Sequence, residues 1–378
     1  MEEEAGIRGT DRQQSSMFSY ISAEQRVPRD HPLRAVRVMA DAALGEVRGC
    51  CAAIYASRGR PSIAPEKLWR ALLLQVLYTM RSERLRMEQR DYNFRFRWLV
   101  GLSIDEPVWE APVFSKHRER LLAGSVAERF CAAVRGQARA RGLRSDEHFT
   151  VDGRLIAAWA GHQSFKRQEH SASTPPPADE PGNPRGDVHG ARRRNDTHQS
   201  SPAPEALLAR KAKGKESKLS YAGHVLMENR HGLAVNGCVT QASGRAEPEA
   251  AVVMVEQIPR WSRVTRGADT GYARKQLVQE LREHRLTPHF ARKQHRILDQ
   301  RTTRYPGYAI SQRKRKPVEE IFGWLKTVGG LRKTRHRGLA RVGWRFRFAL
   351  AVYNLLRMRN LLPVPTSIRP PAASHATA

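Results

Sequence analysis

The sequence predicts an α/β domain with a mixed sheet, preceded by an all-α amino-terminal domain. Three observations carry that prediction. Residues up to about 145 place apolar side chains at helical spacing. At His148 the pattern switches to the β-formers Phe149-Thr150-Val151 ahead of Asp152. From there the order strand, hairpin, helix, strand, helix, strand, helix follows, and an α/β sandwich accommodates it. At 378 residues and 40% hydrophobic, the chain can bury a sizeable core and has the length of two domains.

The helical part opens at Asp30-His31-Pro32-Leu33, a capping side chain with a proline in the first turn, and Val36, Met39, Ala40 and Ala43 follow at helical spacing. After Pro65 a second helix carries Leu68, Leu72, Leu73, Val76, Leu77 and Met80. Further helices are expected over Arg84–Val100, Val113–Leu122 and Val126–Arg141. The arginines Arg84, Arg86, Arg90, Arg95 and Arg97 suit either a DNA-facing side or a solvated charged face. The same two readings apply to Val113-Phe114-Ser115-Lys116-His117-Arg118, which has the make-up of a recognition helix's first turns.

Residues 161 to about 216 turn polar, with Pro175-Pro176-Pro177 and Arg192-Arg193-Arg194, and are expected to be an insertion or flexible loop rather than core. Order returns in Lys218–Glu228 and Leu233–Thr240, a hairpin turning at Asn229-Arg230-His231-Gly232. A helix is expected over Ala246–Ile258, a short strand over Val264–Asp269, a helix over Gln276–Arg285 and a strand over Leu286–Ala291. Helices over Val318–Val328 and about Val342–Leu361 close the chain.

Lysine and arginine number 66 against 37 acidic residues, a formal net charge of +29 that favours a polyanionic partner, nucleic acid above all. No RNA-binding module is recognisable. Cys50, Cys51, Cys131 and Cys238 lack zinc-site spacing and read as small apolar fillers in a reducing interior. Neither a signal peptide nor a membrane span is expected.

Against so basic a chain, three acidic residues stand out. Asp152 lies in an otherwise apolar strand, where a carboxylate needs a cation, a cap or exposure; an Asp-Gly turn is the plain alternative. Asp269, in GADTGY, sits at a strand end, with a helix N-cap as its plain reading. In the helix RKRKPVEEIFGWLK, Val318, Ile321, Phe322 and Leu325 form the apolar stripe, while Glu319, Gly323 and Lys326 share one flank. Glu319 and Lys326 are about 10 Å apart along that axis. The spacing suits a metal-binding carboxylate with a lysine two turns on gripping phosphate; Glu320 points elsewhere. Two aspartates and a helical glutamate meeting in space would hold two Mg²⁺ for phosphodiester chemistry. Around them Arg313, Lys314, Arg315, Lys316, Arg332, Lys333, Arg335 and Arg337 form a dense basic stretch for DNA phosphates.

The segments DHPLR (30–34), GRPSIAPEKL (59–68), FTVDG (149–153), KLSYAGHVLMENR (218–230), GADTGY (267–272), RTTRYPGYAISQRKRK (301–316), EEIFGWLKT (319–327) and KTRHRGL (333–339) resemble bacterial insertion-sequence transposases of the family called insertion sequence five. The resemblance runs from about Phe18 to Leu362. It implies a ribonuclease H-like catalytic domain whose Asp-Asp-Glu triad falls on Asp152, Asp269 and Glu319, with the family's lysine on Lys326 and its arginine on Arg315. It further implies Mg²⁺-dependent cleavage at element ends and strand transfer, with Mn²⁺ as a substitute and no small-molecule cofactor. Double-stranded DNA is the implied partner, met by a homodimer in the bacterial cytoplasm, associated with the nucleoid. Where the family has tyrosine, lysine and aspartate, this chain has Gln312, Thr270 and Ala273, and Pro317 directly precedes the helix. A DNA-binding protein with a dead site is the competing reading. The expected division is a disordered 1–17, a helical DNA-binding domain 18–145, a catalytic domain 146–362 and a disordered tail 363–378.

Overall fold

The computed structural model describes residues 22–53, 63–122, 126–145, 147–167, 186–188, 191–211, 214–256, 264–268, 278–279, 282–283, 286–290 and 303–362. Both expected disordered ends, residues 168–185 of the proline-rich stretch and residues 269–277 lie outside them.

The amino-terminal part is helical: α1 (Ala23–Arg26), α2 (Pro32–Ala53), α3 (Pro65–Leu77), α4 (Glu83–Tyr92), α5 (Phe94–Val100), α6 (Ala111–Leu122) and α7 (Val126–Ala140). The single helix expected over Arg84–Val100 is two. Asn93 takes an extended backbone and its side chain accepts from the Arg95 N–H, ending α4 and capping α5. The arginines read as facing either DNA or solvent divide as well. Arg86 and Arg90 are fully buried, lying over the Phe114 ring at 4.7 and 5.1 Å. Arg97 is buried too and donates to the Ser103 and Glu106 carbonyls. The alkyl stems and flat guanidinium groups of Arg86 and Arg90 pack as core against aromatic faces, which a polar/apolar reading of sequence does not foresee.

The second part is a mixed sheet with helices on both faces. Strand β1 (His148–Ala158) pairs antiparallel with a long strand at Lys218–Glu228, which pairs antiparallel with one at Ala234–Gln241. In chain order the small strands between are β2 (Phe165–Arg167), β3 (Gly186–Val188), β4 (Ala191–Arg193), β5 (His198–Ser200) and β6 (Leu207–Ala209), so the long pair are β7 and β8. On the other edge of β1, β9 (Val264–Ala268) and β10 (Leu286–Phe290) run parallel to it. Pro288 is tolerated in β10 because that strand pairs on one side among the described residues. The short β11 (Lys333–Thr334) pairs in parallel with the far end of β1. Helix α8 (Ala246–Glu256) covers one face, while α9 (Pro306–Lys314), α10 (Val318–Thr327) and α11 (Leu339–Leu361) complete the fold.

Part of the stretch expected to be a loop is core. Phe165, Ala203, Ala206 and Leu208 are buried with Tyr221 and Val342, and β6 adds to the sheet beside β7. The polar tract hides a few apolar side chains that gain partners only from distant strands.

Helix α11 joins the two parts. Gly223 and Gly237 leave room for it on the sheet: a Cβ at Gly223 would stand 2.8 Å from Phe346, and one at Gly237 would collide with Leu350. Its other side meets α7, α2 and α3, where the stacked pair Trp344–Phe348 packs at a tilt against the stacked pair Trp69–Phe130. One hydrophobic cluster thus runs through both parts. Among the described residues, no helix is long and apolar enough to cross a membrane.

Candidate active site

Asp152 sits in the middle of β1, paired with Val225 of β7, rather than in a turn. The adjacent glycine is required by packing, since a Cβ at Gly153 would stand 2.8 Å from His224 Nδ1 on the α8 side. Side chains alternate along a strand, so Asp152, Arg154 and Ile156 share the opposite face. There Ile156 packs in the cluster that holds Ile321 and Leu325 of α10. The same face carries His148, whose Nε2 meets Ser311 Oγ at 2.6 Å, tying the start of β1 to α9. Asn229 Nδ2 reaches both His148 Nδ1 at 2.5 Å and Thr150 Oγ1 at 2.8 Å. Burial pushes the His148 pKa down to about 4, with His289 and Lys314 adding to the effect.

Helix α10 begins at Val318 after Pro317 and buries Val318, Ile321, Phe322 and Leu325, the stripe expected from its periodicity. Glu319 is left 71% exposed on the flank towards β1. Between it and Lys326, a Cβ at Gly323 would meet nothing within 4 Å, so the flank is open. Asp152 and Glu319 converge on one atom: Arg154 Nη2 lies 3.2 Å from Asp152 Oδ2 and 3.7 Å from Glu319 Oε1. Asp152 Oδ1 also accepts from the Gly153 N–H at 2.9 Å. Strand β9 ends at Ala268, next to Asp269, which itself lies outside the described residues, as do Thr270 and Ala273. Among the described residues no three His, Cys, Asp or Glu gather as a metal site. The two carboxylates meeting one cation are nonetheless an all-oxygen donor pair suited to a hard divalent ion.

Lys326 is half-buried, and its pKa is lowered by burial first, then by Arg154, Lys211 and Arg332, with Asp152 opposing. It lines a cleft of about 390 Å³ between the helical part and the far end of β1. Among the described residues, Arg81, Arg118, Lys326, Arg332, Lys333, Arg335 and Arg345 line this cleft against the single carboxylate of Glu83. That balance makes the cleft an anion groove. Trp159, half exposed just past β1, carries Lys333 Nζ 4.6 Å and the Arg335 guanidinium 5.0 Å from its ring centre.

The remaining basic residues divide by environment. Arg332, Lys333, Arg335 and Arg337 are exposed, as are Arg313 and Lys314 at the end of α9 and Lys116 on α6. Arg315 is the C-cap of α9 and only partly exposed. Arg118 is held by Glu83 and lies near Glu119, so part of its charge is already answered within the protein. Gln312 donates to the His289 carbonyl at 2.6 Å. Sequence reasoning passed over Arg154 and Trp159. For Arg154 the signal was present, because strand alternation alone sets residue 154 on the face of 152. Trp159 gave no such signal, since its cations, Lys333 and Arg335, lie more than 170 residues later.

Two family profiles match the chain: a transposase domain (DUF772) over residues 21–120 and a transposase DDE domain over residues 189–355. The second begins after Asp152 and spans Asp269 and Glu319. Among curated proteins none matches. Of solved structures, the chain is similar to a piggyBac transposase synaptic complex with hairpin DNA, at TM-score 0.42 and 12% identity, over 87% of this chain and 75% of that one. With transposase profiles over both its helical and its sheet-bearing parts, the chain belongs to the DDE transposases, metal-dependent enzymes that cut DNA and transfer its strands.

Proposed function

We propose that this transposase acts at insertion-sequence ends, as a member of the family called insertion sequence five, with Asp152, Asp269 and Glu319 as metal ligands. The observation that carries the reading is the approach of Asp152 and Glu319, from distant parts of the chain, to the same nitrogen of Arg154. The antiparallel unit β1–β7–β8, extended past β1 by the parallel β9 and β10, supports a ribonuclease H-like domain over about 146–362. The oxygen-only donors favour Mg²⁺, with Mn²⁺ able to replace it. Two such ions, when bound, supply activation of the attacking oxygen and stabilisation of the leaving one.

The chain's own contribution is placement. Lys326 and Arg315 hold phosphate beside the carboxylates; Arg332, Lys333, Arg335 and Arg337 carry the backbone along the cleft, and Arg313 and Lys314 meet it beyond α9. Lys116 and Arg118 of α6, in the helical domain 18–145, face the flanking duplex, with Arg118 reaching it only as Glu83 releases it. Joining two ends calls for a homodimer, and the work is done on nucleoid DNA in the cytoplasm.

The test supplies Mg²⁺ or Mn²⁺ and DNA bearing candidate ends to wild type, Asp152→Ala and Glu319→Gln. Loss of a metal ligand removes several kcal/mol of transition-state stabilisation, so cleavage should fall by at least about a thousandfold with DNA binding kept. Cleavage surviving both substitutions would sink the assignment. Binding without cleavage by the wild type would identify a dead site.

A further inference from the structure

The two carboxylates are bridged by a cation that belongs to the protein. Arg154 stands two residues beyond Asp152 on the same face of β1, and its Nη2 is within 4 Å of an oxygen of each acid. Its side chain is 31% exposed, so it has an open route out. A guanidinium and a divalent ion cannot share the gap, because like charges at such separations repel strongly where water is partly excluded. Nor would Arg154 lack an alternative partner. Arg154 itself acts on Lys326, together with Lys211 and Arg332 and opposed by Asp152, and the natural counter-ion of that positive group is a DNA phosphate.

We propose that Arg154 is a positioning residue that trades places with the metal: it holds Asp152 and Glu319 together before metal arrives, then releases them and turns to a phosphate of the bound DNA. The proposal rests on the reading of Asp152 and Glu319 as metal ligands. Arginine suits the role because one flat, permanently charged group reaches both acids and then offers the same fork to phosphate.

The experiment measures Mn²⁺ affinity of the full-length protein without DNA, by calorimetry or by the paramagnetic resonance of free Mn²⁺. It uses wild type, Arg154→Met, Arg154→Lys and Asp152→Ala. With its competitor gone, Arg154→Met should bind Mn²⁺ about tenfold tighter, an ordinary coupling for two linked ligands. Arg154→Lys should fall between, since a single ammonium bridges both acids less well. A structural role alone would not tighten metal binding.

Equal or weaker Mn²⁺ binding by Arg154→Met, with binding abolished in Asp152→Ala, overturns the exchange and leaves the metal site standing. Mn²⁺ affinity untouched by Asp152→Ala overturns the site and the exchange together. DNA affinity is read in parallel with Ca²⁺ or with EDTA present. Arg154→Met should weaken binding in Ca²⁺ and not in EDTA, and an equal loss in both overturns the handover to phosphate. Should Arg154→Met fail to fold, Arg154→Gln carries the same comparison.

Discussion

His224 shows how tightly single residues are committed. It is fully buried on β7 beneath α8, with Nε2 at 2.9 Å from Thr240 Oγ1, and burial pushes its pKa down to about 4. The folded protein therefore holds it neutral, while the unfolded chain takes up a proton below 6.5. Its contribution is complete above that pH and is lost as pH falls towards 4. The loss amounts to about 3 kcal/mol for this residue alone. His148 and His336, also pushed to about 4 chiefly by burial, act in the same direction. Melting temperatures between pH 7 and 4.5 should drop steadily, and His224→Gln should flatten part of that slope. Arg90 makes the opposite point. Among the described residues no hydrogen-bond acceptor meets its buried Nε or Nη atoms, so Arg90→Met should leave stability unchanged or raised. DNA affinity should also be unmoved, because the side chain never reaches solvent. A loss of binding in a filter or anisotropy assay would contradict that placement.

At the scale of elements, α10 carries the clearest link from periodicity to chemistry. Four buried positions set its roll, and that roll puts Glu319 on the flank towards β1. Ile321 is fully buried, so Ile321→Ala should cost about 2–5 kcal/mol, read from denaturant midpoints. It should also lower cleavage beyond the stability loss, because the helix that aims the carboxylate loses its seat. That roll was legible in the sequence, as were β1, the β7–β8 hairpin and the start of α10 at Pro317. Other elements escaped, α9 and the small strands β2–β5 among them, and three features show why. The break at Asn93 escaped because an asparagine inside an amphipathic pattern does not say that it will cap. The strand β6 escaped because its few apolar residues sit in a polar tract, and β11 because two residues show no period.

On the scale of the molecule, the cleft is a joint product of the two parts. Gln75, Thr79 and Arg81 come from the helical layer, while Lys326 to Arg345 come from the sheet side. Thr79 Oγ1 donates to the Val328 carbonyl at 3.1 Å and Arg335 Nη1 to the Arg81 carbonyl at 3.1 Å, fastening the walls. Replacing Arg332, Lys333 and Arg335 together by alanine should weaken binding to all duplex sequences alike. The log–log salt slope should become shallower by about 1 for every DNA phosphate that the variant no longer neutralises. An unchanged slope would place the DNA elsewhere.

By itself the sequence determined the types of the long elements, the buried stripe of α10, the basic balance and the acidic residues worth watching. Those follow from local periodicity and composition, which each stretch carries within itself. Only the tertiary structure decided that Asp152 lies mid-strand, that Arg86 and Arg90 are core, and that Arg154 bridges Asp152 and Glu319. Such facts depend on partners far along the chain, or on which side of a strand is covered. No local pattern encodes either.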